Sequence, residues 1–158
     1  MPWHQAEPRG SETSLPVHSW VPVVALGLSL IGLSVSAYLT VAHFSSPALL
    51  ACSSSALVDC RRVTTSAQSE ISGIPVALLG VLYFIVMGVV NFPPAWRSLK
   101  LAYVRLGGAL LGIGMVLYLL YAEFFLIGAI CLWCSVVHVD VFLLFLLTMA
   151  VTPALVRP

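Results

Sequence analysis

The stretch CLWCSVVHVDVFLLFLLTMA, residues 131–150, begins with two cysteines three residues apart and continues as a long apolar segment. From about Leu132 to Ala150 it is long enough to cross the hydrocarbon core of a bilayer. At 100° per residue, Cys131, Cys134 and His138 share one face of a helix. If the helix begins at Cys131, both sulfurs lie near its positive end, which favours thiolates. The pattern predicts a redox pair at the mouth of a membrane helix; a structural disulfide or two buried apolar cysteines are the alternatives.

The composition points to an integral membrane protein. Of the 158 residues, 60% are hydrophobic and only 8% are charged, whereas a soluble domain carries about 25% charged residues. This length allows about four spanning helices, so we predict an all-α, four-helix transmembrane bundle. The net charge of only +1 gives no sign of a nucleic-acid face.

Four apolar segments divide the chain. We predict a polar, cytoplasmic N-terminal segment over residues 1–20 and one catalytic domain over residues 21–156. Ser72 is predicted to cap the second helix, with Pro75 in its first turn. The four spans are predicted at about residues 21–43, 74–92, 101–127 and 132–150.

Positive charge sets the predicted orientation. Arg97, Lys100 and Arg105 form the densest basic cluster, which assigns the connection between the second and third spans to the cytoplasm. Both termini are then cytoplasmic. The connection between the first two spans, which carries Cys52 and Cys60, then lies on the same extracytoplasmic side as the Cys131/Cys134 turn. This agreement favours a dithiol relay, in which one cysteine pair passes electrons to the other by thiol–disulfide exchange.

Three ionisable residues lie within the predicted spans. An imidazole at His138 could hydrogen-bond a carbonyl oxygen of a ligand held over Cys134, since an ionisable group inside a span is functional by default; a bond to a neighbouring helix is the alternative. Asp140 points to the opposite face from the thiols and is expected to pair with a hydroxyl on another span. Glu123 lies near the outer end of the third span and is expected to snorkel. Neither acid is predicted to be catalytic.

A soft metal such as zinc is a further alternative for Cys131, Cys134 and His138. A closed site needs a fourth ligand, which Cys52 or Cys60 would supply only by leaving its own pair. We therefore predict no metal site.

Several motifs occur together in a specific order. They are Cys52, then Cys60-Arg-Arg-Val63-Thr-Thr-Ser66, then Gly73-Ile-Pro-Val-Ala-Leu-Leu-Gly80, and finally Cys131-Leu-Trp-Cys134-Ser-Val-Val-His138. With four spans, this set resembles the vitamin K epoxide reductase family in its bacterial branch, over about Val21 to Ala150.

The resemblance implies a helical bundle around a quinone, either ubiquinone or a menaquinone of the vitamin K type. It implies that a thioredoxin-like or DsbA-like extracytoplasmic protein exchanges with Cys52/Cys60, and that Cys60 then exchanges with Cys131. Cys134, held as a thiolate by the helix end, would stand next to the quinone. Ser66 matches the family's loop serine near the active site. Because many bacterial members carry a fused thioredoxin-like domain and this chain has none, a separate partner is expected.

Two positions differ from the animal enzymes of the family. His138 stands where they carry a quinone-contacting tyrosine, and Val76 stands where they carry an asparagine. The second difference leaves one carbonyl contact of the quinone unassigned and counts against epoxide reduction.

The sequence therefore predicts a quinone-dependent thiol oxidoreductase of the bacterial cytoplasmic membrane that supports disulfide-bond formation. A vitamin K quinone or epoxide reductase is the nearest alternative. A non-enzymatic membrane protein with structural disulfides is the alternative from another class.

Overall fold

The computed structural model describes residues 18–46, 49–52, 55 and 57–156, so most of the predicted 1–20 segment lies outside the described residues. Three helices are long and apolar enough to cross a membrane. They are α1 (Trp20–Phe44), α4 (Leu99–Tyr121), which continues as a π-helical turn (Ala122–Ile127), and α5 (Leu132–Val156). At 1.5 Å per residue, the 25 residues of α1 extend about 37 Å, which exceeds the hydrocarbon thickness of about 30 Å.

The shorter elements lie between α1 and α4. They are α2 (Cys60–Thr64), a 3₁₀ turn (Ala67–Ser69), a two-stranded hairpin of β1 (Glu70–Ile71) and β2 (Ile74–Pro75), α3 (Val76–Val90) and a second 3₁₀ turn (Pro93–Arg97). Helix α3 is apolar but has only 15 residues. It extends about 22 Å at 1.5 Å per residue, less than the hydrocarbon thickness.

The predicted start of the second helix is wrong by several residues. Ser72 and Gly73 both have positive φ, 55° and 80°, and form the two-residue turn between β1 and β2. Two successive residues with positive φ give the turn twist that suits a tight hairpin. Helix α3 consequently starts at Val76 with Pro75 at its N-cap, and Ser72 does not cap it.

Small residues bring α1 and α3 close together. Gly32 of α1 faces the Phe84 ring so closely that a Cβ atom there would overlap it, and a Cβ at Gly80 of α3 would stand 2.9 Å from Ser36 Oγ. Small residues at such crossings let helix backbones approach, which is how helices associate in lipid. The small residues of the first span therefore hold α3 against α1.

One basic side chain closes the end of the bundle away from the cysteines. Arg105 of α4 is buried and donates through Nη1 to the carbonyl oxygen of Val90, at 2.7 Å. Its guanidinium lies 3.9 Å from the centroid of the Trp96 ring, a cation–π contact. The Trp96 indole N–H donates in turn to the carbonyl oxygen of Asn91. These contacts connect α4 to the end of α3.

Candidate active site

All four cysteines meet in one apolar cluster at one end of the bundle. Cys60 and Cys131 are buried within it, 2% and 0% exposed, and Cys52 and Cys134 pack against it. Cys52 and Cys60 form a disulfide, whereas Cys131 and Cys134 are free thiols. We call this group the cysteine cluster; its other buried members are Leu39, Ala42, Leu50, Val63, Ala122, Ile127 and Ala129.

Backbone hydrogen bonds align the two cysteine segments. The Ile130 N–H donates to the carbonyl oxygen of Leu57 at 2.9 Å, and the Asp59 N–H donates to that of Ile130 at 3.1 Å. These bonds form a short parallel bridge. The bridge pairs Val58 with Ile130. Cys131 follows Ile130 directly and Cys60 lies two residues after Val58, so the bridge brings the two segments into register just before their buried cysteines.

Two aromatic residues hold the segment that carries Cys52. The Tyr38 hydroxyl donates to the carbonyl oxygen of Leu49 at 2.8 Å and accepts from the Ala51 N–H at 2.9 Å. The Trp133 indole N–H donates to the carbonyl oxygen of Ala51 at 3.0 Å. The two rings meet edge to face, with centroids 5.1 Å apart. Trp133, which lies between the two free cysteines in sequence, thus fixes the residue before Cys52.

The chain turn before α5 presents Cys131 and Cys134 at the helix start. Gly128, with φ of 67°, ends the π-helical turn, and the Cys134 backbone N–H points at Cys131 Sγ, at 3.3 Å. The Cys134 side chain also hydrogen-bonds to Cys131, and this lowers the pKa of the Cys131 thiol. The lower pKa makes the Cys131 thiol the readier proton donor in this reduced form, whereas the sequence predicts the thiolate at Cys134.

A cavity opens beside Cys134. It has a volume of about 670 Å³, counting its open mouth. The predicted site residues Ser66, Val76, Cys134 and His138 all line it, although three different segments supply them. Cys131 is fully buried behind the wall. We call this space the site cavity; Leu39, Pro75, Ala77, Leu119 and Ile127 are among its apolar lining residues.

The polar predicted residues of the site cavity differ in their partners. Ser66 donates its hydroxyl to the carbonyl oxygen of Val63 at 2.8 Å, which ends the turn after α2. His138 is buried, and its Nδ1 atom has no hydrogen-bond partner. A buried polar atom without a partner is costly, so His138 offers a free polar group to a ligand in the cavity.

Comparison with known proteins identifies the family of the chain. The family model described as the vitamin K epoxide reductase family matches residues 23–149. The chain belongs to the vitamin K epoxide reductase family. No curated protein matches the chain. With three long apolar helices, membership makes this chain a membrane protein and an oxidoreductase of a family that acts in thiol–disulfide and quinone chemistry.

The position predicted for one acidic residue, Glu123, is wrong. Glu123 does not snorkel to the surface: it is 3% exposed, lines the site cavity and leaves Oε2 without a hydrogen-bond partner. The signal for it in the sequence was its position eight residues before Cys131. The π-helical turn changes the direction in which the side chains after Tyr121 point. The spacing of apolar residues in the sequence gave no indication of this turn.

Asp140 also lacks the partner predicted for it, a hydroxyl group on another span. It is buried on α5 near Gly32 of α1, and both of its carboxylate oxygens lack hydrogen-bond partners. Asp140 does not line the site cavity. Within the described part of the chain, no group of three or more His, Cys, Asp or Glu side chains is arranged to hold a metal ion.

Proposed function

We propose that this chain is a quinone-dependent thiol–disulfide oxidoreductase with two cysteine pairs in series. Electrons enter from a separate thioredoxin-like or DsbA-like protein at Cys52/Cys60, pass to Cys131/Cys134 and leave to a quinone of the ubiquinone or menaquinone type. The activity reoxidises a protein that forms disulfide bonds outside the cytoplasm.

The single observation that carries this proposal is the cysteine cluster. Cys60 and Cys131 are both buried in it, behind segments joined by the bridge between Val58 and Ile130. The loop pair is oxidised while the helix pair is reduced. A disulfide and a dithiol in one cluster are the two reactants that thiol–disulfide exchange requires.

The transfer within the protein balances as two thiol–disulfide exchanges. The Cys60 thiolate attacks Cys131 Sγ of the Cys131–Cys134 disulfide, and Cys134 leaves as a thiolate. The Cys52 thiolate then attacks Cys60, which forms the loop disulfide and releases Cys131. Two electrons have moved inward, and Cys134 faces the site cavity.

The site cavity fits a quinone ring. Its wall is mainly apolar, and it carries two buried polar atoms without partners, His138 Nδ1 and Glu123 Oε2, as suits a flat ring with two carbonyl oxygens. A bound quinone supplies the two-electron acceptor chemistry. In this proposal Val76 packs against the ring, His138 holds one carbonyl oxygen, and the buried position keeps water from the thiols.

The bridge also supports four membrane crossings. Leu57 and Ile130 touch, so they lie on the same face of the membrane. Because the long helix of residues 99–127 lies between them in sequence and crosses once, a second crossing between them is required, and α3 is the apolar helix that supplies it. Both termini then lie on the opposite face, in the cytoplasm according to the basic residues between α3 and α4.

The test is quinone reduction by the purified protein in detergent with a small dithiol. We expect wild type to bleach the quinone absorbance and Cys134→Ala to lose this activity, because the thiol next to the cavity is gone. Val136→Ala, an exposed position on the same helix, is the matched control. If wild type fails to reduce the quinone and keeps four unreactive cysteines, the chain carries structural disulfides instead. Reduction of vitamin K epoxide by wild type would mean that the chain is an epoxide reductase, the alternative function within the family.

A further inference from the structure

The site cavity holds a second acid-base group that the relay does not use. Glu123 is 3% exposed, lines the cavity together with Cys134 and His138, and leaves Oε2 without a hydrogen-bond partner. An unpaired carboxyl group in an apolar wall is destabilising. Its presence there requires a reason other than packing.

The backbone holds Glu123 against the reacting thiols. The N–H groups of Gly128 and Ala129 both donate to the Glu123 backbone carbonyl, at 2.9 and 3.2 Å, and they fold the chain back toward α5. The Glu123 carboxyl group consequently lies beside the backbone N–H of Cys131. Glu123 is therefore close to the thiol pair on one side and open to the cavity on the other.

We propose that Glu123 carries a proton from the Cys131 thiol to one carbonyl oxygen of the quinone. This inference rests on the proposed function and deepens it. Formation of the Cys131–Cys134 disulfide releases two electrons and two thiol protons, and the two carbonyl oxygens of the quinone take up both protons. The protonated Glu123 carboxyl group, which hydrogen-bonds to the nearer oxygen, gives that oxygen its proton; it then takes up the Cys131 proton and returns to its starting form.

The proposal also supplies the contact that the sequence left open. Val76 lines the cavity with an apolar side chain, where the animal enzymes carry an asparagine, so it offers no hydrogen bond to the ring. Glu123 offers one from another wall, through the Oε2 atom that has no partner in the protein. His138 remains the contact for the other carbonyl oxygen.

Glu123→Gln separates proton transfer from hydrogen bonding. Glutamine keeps an oxygen to face the Cys131 N–H and an N–H to donate to the quinone, but it cannot transfer a proton. We expect the Kd of the oxidised protein for the quinone to stay within about twofold of wild type, because the contact survives. We expect the single-turnover rate of Cys131–Cys134 oxidation by the quinone to fall about a hundredfold, the usual size of a general acid–base contribution.

Three further variants complete the experiment. Glu123→Leu loses the contact as well, so both the Kd and the rate should deteriorate. Phe124→Leu, an exposed neighbour in the same turn, should match wild type in both. If Glu123→Gln does not fold, as judged by gel filtration, Glu123→Ala decides the question: added formate should restore the rate by carrying the missing proton.

The measurements are equilibrium dialysis for quinone binding and rapid alkylation with mass spectrometry for thiol oxidation. A Glu123→Gln rate equal to wild type overturns the proposal, as does a variant whose only defect is weaker binding, or an alanine variant that formate does not restore. Failure of the proposed function looks different, because wild type itself would then leave Cys131 and Cys134 reduced in the presence of quinone.

Discussion

His138 is the residue whose chemistry the site defines most sharply. It is buried on α5, one turn beyond Cys134, and its Nδ1 atom lacks a partner in a wall that is otherwise mainly apolar. A single hydrogen bond contributes about 0.5–1.5 kcal/mol, which corresponds to a change of about 2- to 12-fold in affinity. The imidazole is thus suited to orient a ligand, and in the proposed reaction Cys134 is the reacting group.

We expect His138→Leu to raise the KM for quinone by about 2- to 12-fold because one hydrogen bond to the ring is lost. Exchange between Cys52/Cys60 and a dithiol partner should keep its rate, since His138 does not take part in the cysteine cluster. Steady-state kinetics with varied quinone, beside a stopped-flow measurement of the thiol exchange, checks both. An unchanged KM would mean that His138 serves only the packing of α5.

At the scale of elements, the Cys52/Cys60 pair is held in position by the elements around it. The backbone beside Cys52 is fastened by Tyr38 of α1 and by Trp133 at the start of α5. The segment before Cys60 is fastened by its bridge to Ile130, and Asp59 caps α2 by accepting from the Arg62 N–H. The Cys52–Cys60 disulfide is therefore held in the same cluster as Cys131 and Cys134, although neither of its cysteines lies on a long helix.

Tyr38→Phe tests this arrangement, because it removes both hydrogen bonds of the hydroxyl and keeps the ring contact with Trp133. We expect a looser Cys52 segment and a loss of up to about thirtyfold in partner-driven turnover, because two hydrogen bonds of about 1 kcal/mol each are removed. Turnover driven by a small dithiol on Cys60→Ala, which bypasses the loop, should be unaffected by the added Tyr38→Phe change. Tyr121→Phe, an exposed tyrosine, is the control. Equal losses in both assays would mean that Tyr38 acts on the reaction in the site cavity and not on the Cys52 segment.

At the scale of the whole molecule, the contact between two distant segments constrains the membrane topology. Residues 57 and 130 are neighbours, although the apolar helices of residues 76–90 and 99–127 separate them in sequence. Helix α3 is short for a crossing, and the turns at its ends add to its reach. In the proposed topology, four crossings keep both cysteine pairs on one face, where an exported partner can reach the loop.

Labelling with a membrane-impermeant maleimide checks this topology. Above the wild-type background, Leu57→Cys should be labelled in intact cells, because Leu57 is exposed and faces outward. Lys100→Cys, exposed near the start of α4, should be labelled only after permeabilisation. Labelling of both positions in intact cells would mean that α3 does not cross the membrane.

Composition and spacing alone determined much of this molecule. Apolar runs of spanning length predict helices because the backbone must satisfy its own hydrogen bonds in lipid. The 3-residue spacing of Cys131 and Cys134 puts them within one helical turn, and motif order was enough to identify the family. These features are local or compositional, so a linear sequence displays them directly. By contrast, Ser72 and Gly73 form a hairpin turn because both have positive φ, whereas the sequence pattern around them predicted the start of a helix.

The tertiary structure alone decided which residues share the site. Tyr38 gave no sign of its role in sequence, because it acts on a backbone eleven to thirteen residues away. Glu123 lies close to Cys131 in sequence, but only the structure shows that a π-helical turn directs its side chain into the cavity. The register of the two cysteine segments rests on hydrogen bonds across some seventy residues of chain. Such contacts depend on how helices pack and turn, and that packing is a property of the assembled bundle.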